Sequence, residues 1–587
     1  MINNFIERAK SGESVYLCAT RDTFSTLGIF VECTVEFAVG DPRYYKIPIP
    51  RTKNAEEAEF VKEYFYANIY NIISILGGTK ITLYIKPEDD HIQKLCADLD
   101  NVFQINIPRG ERTGYGKCLN VTDRVNSAMN CPPFSFEIVQ GKCVKKFPWP
   151  EETESDAISI FKGAVKAASN SVLCGVDIGG TDIKVVGAVN GQIKALKEYD
   201  WRPSDMTTID EVISPIILIV RVIRAALSLP DNNRGNELRT IMLNKDATDE
   251  EMLSAVETAE KEFGEFILFD GIGVNFPDVV IRNKIVGGET PKTQSIRKHS
   301  RDYEAEFGRL TGLDNKLLEH CKNGGTVKIA NDGSLAAYTA AVELAHSQRA
   351  SEVADGVFAH TLGTDLGSGW IDEYGEIPQI PLEMYNCVID LGNYPAREFD
   401  AIDLRSVRNY TTGIAGSPQK YAGQSGAYRF ALEYMAKDAH VLFQELFDKG
   451  FIEKTKNGIC VVLSPHDMRK PLLEYIMVLA DNGQPQAEQV FREIGKFLAS
   501  VWRETEFILN PLAKRRILFG RFVKRQNCFK LMQEGAKEMF GVVLDAGDDS
   551  IAFTPLMLDL KADPDYTVAQ FGQAVGAAYF AAAVLKK

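Results

Sequence analysis

The same short design occurs twice in the chain, and it limits the fold more than any other feature. A strand-like run, Val172 to Asp177, leads into a Gly179-Gly180 turn and a second run, Ile183 to Val189; much later, Val357 to Leu362 leads into the glycine-rich Gly363 to Gly369 and on through Trp370 to Asp372. Apolar, β-branched runs on either side of a glycine turn predict a hairpin. Two such hairpins suggest duplicated halves. Between and after them, Leu335 to Ala345, Ala427 to Leu446 and Gln486 to Phe507 carry helical apolar spacing. The alternation predicts an α/β protein of two lobes with a cleft between them.

The rest of the chain is organised around that part. Residues 1 to 150 mix strand-like runs (Gly28 to Cys33, Lys80 to Ile85) with a helical stretch, Ala55 to Leu76, and predict a separate α/β or α+β domain. Phe147 to Asp156 is rich in proline and acid and lacks periodicity, which predicts a linker. The lobes are then expected at 157–335 and 336–587, with a long insertion at about 387–500, either a surface loop or a substrate lid. A chain of 587 residues is long enough for several domains.

Composition excludes several function classes. With 66 Lys and Arg against 80 Asp and Glu, the formal charge is −14, which repels polyphosphate backbones, so no nucleic-acid partner is expected. The 11 cysteines form no CxxC pair, so a disulfide framework is not indicated and a reducing compartment fits. Met1 to Arg21 shows no secretory pattern, and the most apolar stretch, Val212 to Leu229, is broken by Arg221 and Arg224. An amphipathic or buried helix, no membrane and a cytoplasmic location are therefore expected.

Three short segments could carry chemistry. In Asp177-Ile178-Gly179-Gly180-Thr181-Asp182-Ile183-Lys184, the glycines let backbone N–H groups approach a phosphate, Thr181 offers a hydroxyl, and Asp177 at a strand end can hold hydrated Mg2+. A plain hairpin turn with an acidic flank fits the same residues. In Ile329-Ala330-Asn331-Asp332-Gly333-Ser334, a carboxylate fixed at a strand-to-helix corner could take the proton of a hydroxyl attacking phosphorus. Taken alone, Asn-Asp-Gly-Ser is more simply a helix cap. Thr361 to Gly369 offers a second set of N–H groups. The order of phosphate turn, Asp corner and second phosphate turn makes one coherent set.

In that order the sequence resembles the ROK family (repressor, open reading frame, kinase), the sugar-kinase branch of the actin, hexokinase and Hsp70 superfamily. The resemblance runs from about residue 170 to the end. Asp177 to Lys184 is similar to the family's first phosphate turn, and Gly271-Ile272-Gly273-Val274-Asn275-Phe276-Pro277 to a stretch bordering the sugar site, with Asn275-Phe276 in place of Pro-Gly. Asn331 to Ser334 resembles the family's helix corner and Gly363 to Gly369 its second phosphate turn, with Asp365 replacing a glycine. Arg516 to Phe522 resembles the strand and turn facing adenosine, with Arg521 replacing a glycine, and Phe571 to Ala578 the small-residue terminal helix. Of the family's Glu-x-x-His sugar grip only Glu383 has a counterpart, since Asn386 stands where the His would be, and the zinc loop has none.

The resemblance implies an α/β, two-lobed actin-like ATPase (ribonuclease H-like) fold with the additional N-terminal domain. It implies ATP-dependent phosphorylation of a hexose-like sugar hydroxyl, with Mg-ATP in the interlobe cleft. Asp332 is implied as catalytic base and Asp177 as the magnesium residue, through water. Gly179, Gly180, Thr181, Lys184, Gly363, Thr364, Gly367 and Gly520 are implied to contact the nucleotide, and Asn275, Asn331 and Glu383 the sugar. No structural zinc is expected, and a homo-oligomer is compatible with the sequence. The alternative is a non-catalytic sugar or nucleotide sensor or scaffold that keeps the kinase fold.

Overall fold

The computed structural model describes the chain apart from residues 39, 87, 144–155, 288–292, 363–365, 395–398, 410, 457, 514, 521, 524, 548–550 and 586–587. The chain forms two compact units, neither of them one continuous stretch. The first comprises Met1–Thr153, Thr361–Ser368 and Ile380–Ala546; the second comprises Glu154–His360, Gly369–Gln379 and Gly547–Lys587.

The second unit is built on a five-stranded sheet. Its order is Cys321–Asn331, Phe269–Phe276, Val172–Ile178, Asp182–Val189, Gln192–Asp200. The first three strands are parallel and the last two antiparallel additions, so the expected Gly179-Gly180 hairpin forms between the third and the fourth. Alternate residues Cys174, Val176, Ile178, Ile183, Val185, Ile272 and Val274 enter one apolar cluster with Ile213, Ile216, Ile219, Val220 and Ile223 of the Ile209–Ser228 helix. That helix opens with a reciprocal Thr208–Glu211 capping box, an arrangement typically worth about 1 kcal/mol. It is the amphipathic helix expected from Val212 to Leu229, and no helix among the described residues is long and apolar enough to cross a membrane.

The opposite face explains the small residues at the end of the chain. A Cβ on Gly175 would stand 1.9 Å from the Ala574 carbonyl oxygen, and one on Gly273 1.7 Å from that of Ala577. The Val568–Ala582 helix therefore lies backbone-close on the sheet. On its far side a Cβ at Gly576 would meet Thr339 Oγ1 at 1.8 Å, so the helix is wedged between the sheet and the Asp332–Ala345 helix. The latter is fixed at its C-terminal end as well: Glu343, buried, accepts the backbone N–H groups of Phe553 (2.6 Å) and Thr554 (2.8 Å) and the Thr554 hydroxyl (2.6 Å).

In the first unit, Arg43–Pro48, Phe30–Glu36, Lys80–Ile85 and Ser135–Gln140 form a four-stranded sheet in that order. Phe30–Glu36 runs antiparallel to both of its neighbours, and Ser135–Gln140 runs parallel to Lys80–Ile85. The Ala55–Leu76 helix, capped by Asn54, is buried at every position from Tyr64 to Leu76. A helix buried all round needs cover on every side. Part of that cover comes from the Pro485–Leu509 helix, which packs in turn on Gln526–Phe540, each backbone approaching a glycine of the other: Gly495 against Met532 O and Gly535 against Arg492 O.

The two compact units do not coincide with the three successive blocks 1–150, 157–335 and 336–587 expected from the sequence. Residues 1–150 share one interior with 380–546, joined by the buried Arg21–Glu504 ion pair (2.8 Å) and by Asn71 on the Val388 backbone. The chain end returns to the second unit because only its small-residue helix fits the glycine face of the sheet. Nor is 387–500 a surface loop: Cys387 to Leu391 are buried, and the Gln424–Asp438, Arg469–Asp481 and Pro485–Leu509 helices supply much of the first unit's core. The single helix expected over Ala427 to Leu446 is two, Gln424–Asp438 and His440–Asp448, parted at Ala439, whose φ of −145° is not helical. The expected linker at Phe147 to Asp156 lies, but for Asp156, outside the described residues.

Candidate active site

Strand register assembles the polar residues of the second unit. Asp177 pairs with Asn275 across neighbouring parallel strands, and Asn275 and Phe276 pair with Ala330 and Asn331 of the next. Three parallel strands thus end side by side on Asp177, Asn275 and the Asn331-Asp332 corner. The carboxyl ends of parallel strands are where α/β sheets bind ligands, because the chain diverges there and leaves room. The twofold period of a strand places Asp177 on the same face as Gly175, and Asn275 on that of Gly273, just beyond the terminal helix's cover.

The Asn275 amide fixes this arrangement. Its Nδ2 donates to Asp177 Oδ1 at 2.6 Å, and since a carboxylate only accepts, the amide can face one way only. Asn275 Oδ1 is left buried without a hydrogen-bond partner, on a residue 2% exposed. A buried orphan acceptor costs about 1–3 kcal/mol unless a donor arrives. Burial pushes the Asp177 carboxyl up to about 6; the charges of Asp332 and Asp182 push the same way, while Lys184 and the Asn275 N–H oppose them.

At the corner, Asn331 rather than Asp332 is the helix cap. Asn331 Oδ1 accepts from Gly333 N (2.9 Å) and Ser334 N (3.4 Å), and its Nδ2 donates to Asp278 O (3.0 Å), leaving one amide N–H for a ligand. Asp332 is the first helical residue, where the helix dipole favours a negative charge. Its Oδ1 accepts from Gly333 N at 2.8 Å, and Oδ2 has no partner among the described residues. A Cβ on Gly369 would stand 1.8 Å from Gly333 O, so the chain after the second glycine turn crosses directly over this corner.

The first glycine turn is tight. Gly179 N donates to Asp182 O (2.8 Å), and the Trp201 indole N–H to Gly179 O (3.1 Å). Gly180 and Thr181 are exposed, with the Thr181 hydroxyl on Asp182 Oδ2 at 3.2 Å. Lys184 is ion-paired with Asp182, both at the start of the Asp182–Val189 strand.

The remaining candidates belong to the first unit or lie outside the described residues, as Gly363 and Thr364 do. Gly367 packs on Thr361, where a Cβ would meet Oγ1 at 2.3 Å. Gly520 has φ +117° and faces Leu362 O, which a Cβ would meet at 2.2 Å, so no other residue fits there. Glu383 Oε2 accepts from Asn386 Nδ2 at 2.6 Å, and Asn386 Oδ1 accepts from Asn409 Nδ2 at 2.7 Å. The three-residue spacing made Asn386 visible in the sequence; Asn409, 23 residues further on, carried no signal.

The oxygen donors at the strand ends suit a hard divalent cation such as Mg2+. Among the described residues no cluster of three or more His, Cys, Asp or Glu stands ready to hold a metal, so such an ion would depend on water and ligand oxygens beside Asp177, as magnesium commonly does. A cation there would offset the mutual repulsion of Asp177, Asp182 and Asp332.

No family model matches the sequence, and no curated protein does. Among solved structures, many similar chains are ROK family sugar kinases covering about 70% of this chain. A ROK family glucokinase from Streptomyces griseus, solved with glucose and AMPPNP, is 15% identical over 70% of this chain and 98% of its own, with a TM-score of 0.38. A ROK hexokinase from Thermus thermophilus is 15% identical over 69% of this chain and 96% of its own, TM-score 0.35. A ROK family transcriptional regulator, a homolog of an E. coli protein, is 12% identical over 70% of this chain and 81% of its own, TM-score 0.38.

Proposed function

We propose that this chain is an ATP-dependent kinase of a hexose-like sugar, of ROK type and with the actin-like two-lobed architecture its motifs imply. One observation carries the reading: Asp177, Asn275 and Asp332 stand at the adjoining carboxyl ends of three parallel strands, with an oriented amide presenting an unused acceptor between two carboxylates.

In this reading Asp332 Oδ2 takes the proton of the attacking hydroxyl, while Gly333 N holds Oδ1 in place. Asp177, kept in position by Asn275, orients hydrated Mg2+. Asn275 Oδ1 and the remaining Asn331 N–H bind sugar hydroxyls as acceptor and donor, and Glu383, aimed by Asn386, is a further sugar contact. Gly179, Gly180, Thr181 and Lys184, with Gly363, Thr364, Gly367 and Gly520, hold the nucleotide. Bound ATP supplies the γ-phosphoryl group, and the protein's contribution is positioning and charge neutralisation.

The test is thermal stabilisation by Mg-ATP, alone and with a panel of sugars, followed by turnover of Asp332→Ala. A nucleotide shift enlarged by one sugar, with Asp332→Ala losing at least about a thousandfold in kcat while still binding nucleotide, is expected. Retained turnover in Asp332→Ala would remove the base assignment. No response to nucleotide would favour the non-catalytic sensor.

A further inference from the structure

The segment bearing Glu383 is held at both ends by one helix of the N-terminal region. At its start, Leu382 N donates to Ile75 O (2.9 Å) and Glu383 N to Ser74 O (3.1 Å). At its end, Asn71 grips a single residue twice: Val388 N donates to Asn71 Oδ1 (2.7 Å), and Asn71 Nδ2 donates to Val388 O (2.8 Å). Asn71 is fully buried, and its Nδ2 also reaches Glu504 Oε2 at 3.2 Å, the carboxylate paired with Arg21. All of these residues belong to the first unit.

Between the two anchors the backbone is forced. Leu382 has φ +51°, a left-handed conformation that a leucine adopts only under constraint from its surroundings. The Met384–Asn386 turn follows, and the Asn386 amide reaches back to Glu383. The direction of that amide is set in turn by Asn409, whose Oδ1 accepts from Thr411 N (2.9 Å) and Thr412 N (3.0 Å), which leaves its Nδ2 to face Asn386 Oδ1. The Ala55–Leu76 helix therefore holds the backbone on either side of the turn, while a separate pair of oriented amides, Asn409 and Asn386, directs the Glu383 carboxylate.

We propose that the N-terminal region serves as the template for acceptor recognition, with Asn71 as the positioning residue that holds the Leu382–Val388 segment and so aims Glu383 at the acceptor sugar. The proposal rests on the reading of Glu383 as a sugar contact. It gives residues 1–150 a role in the specificity of the reaction, because the Ala55–Leu76 helix is hydrogen-bonded to the segment that carries the acceptor contact.

The test uses the full chain with Asn71→Leu, which branches at the same carbon but carries no amide, and Asn71→Ser, smaller and still polar, which serves where the leucine variant fails to fold. Hydrogen exchange without ligand is read first. Peptides covering 382–388 should exchange at least about tenfold faster in Asn71→Leu and by an intermediate factor in Asn71→Ser, with the Gln526–Phe540 helix unchanged. Unchanged exchange at 382–388 overturns the clamp, whether or not the protein is a kinase. Steady-state kinetics follow with the sugar that the stabilisation panel identifies: KM for the sugar should rise at least about tenfold while KM for ATP stays within about twofold. An equal rise in both constants, or a fall in kcat alone, overturns the positioning role. A wild-type chain that turns over no sugar removes the kinase reading instead, and the exchange result still decides the clamp.

Discussion

Replacing Arg21 by Met strips a buried carboxylate of its charge partner. Arg21 is 5% exposed and Glu504 1%. Two guanidinium nitrogens meet both carboxylate oxygens at 2.8 and 3.0 Å, a further bond of 2.7 Å reaches Asn68 Oδ1, and the guanidinium carbon lies 3.8 Å from the centre of the Phe507 ring. Methionine keeps most of the stem packing but none of these bonds. Glu504 is left with Asn71 alone, and breaking a buried pair in this way costs about 3–5 kcal/mol, since the charge can neither return to water nor find another partner. Glu504→Leu should cost a similar amount, because Arg21 is then the stranded ion. The double variant strands no ion. It leaves Asn68 and Asn71 each short of one bond, and should cost only about 2 kcal/mol. The coupling between the two changes is therefore several kcal/mol. Denaturant unfolding of the three variants measures it, with hydrogen exchange in the Pro485–Leu509 helix reporting on this unit separately, since a chain of two units does not unfold in one step. A single variant that loses less than about 1 kcal/mol, or a double variant as unstable as the two singles summed, would refute the account.

Two other outcomes follow from the sheet and the site. Gly273→Ala should destabilise the second unit by about 1–3 kcal/mol or more, because its Cβ must displace the Ala577 carbonyl of a helix wedged on its other side; Gly271→Ala, whose Cβ meets side-chain carbons alone, the Ala581 methyl nearest at 3.1 Å, should cost clearly less, and equal melting temperatures would contradict the packing argument. The Asp177 carboxyl, raised from 3.8 to about 6 by burial, holds a proton in the folded chain that the unfolded chain releases, so its contribution to stability falls as pH rises from near 4 through 6 and is constant above. Cation binding runs the other way, since it needs the carboxylate: Mn2+ binding in the presence of AMPPNP should weaken by about tenfold per pH unit below 6, and Asp177→Asn should abolish that dependence.

The Asp177 turn and the Asn331-Asp332 corner could be found in the sequence because each is local. Glycines beside an acidic strand end, and a capping composition after a strand, are patterns of a few neighbouring residues. Which asparagine does what was less visible: Asn331 turned out to cap the helix, and Asn275 to hold Asp177, because strand register decides which residues lie side by side and register is not written in either strand alone. The same holds for Asn71 and Val388, which lie 317 residues apart and share no motif.

By itself the sequence determined the elements: the Ala55–Leu76 helix, the Lys80–Ile85 strand and the first glycine hairpin arise from apolar spacing and turn chemistry that act within a dozen residues. Tertiary structure alone decided how the chain is shared between two interiors. The last helix returns to the second unit because backbone-close packing on Gly175 and Gly273 admits only small residues, and the first 150 residues join 380–546 because a helix buried on every side and an ion pair excluded from water need partners that no single stretch of this chain supplies.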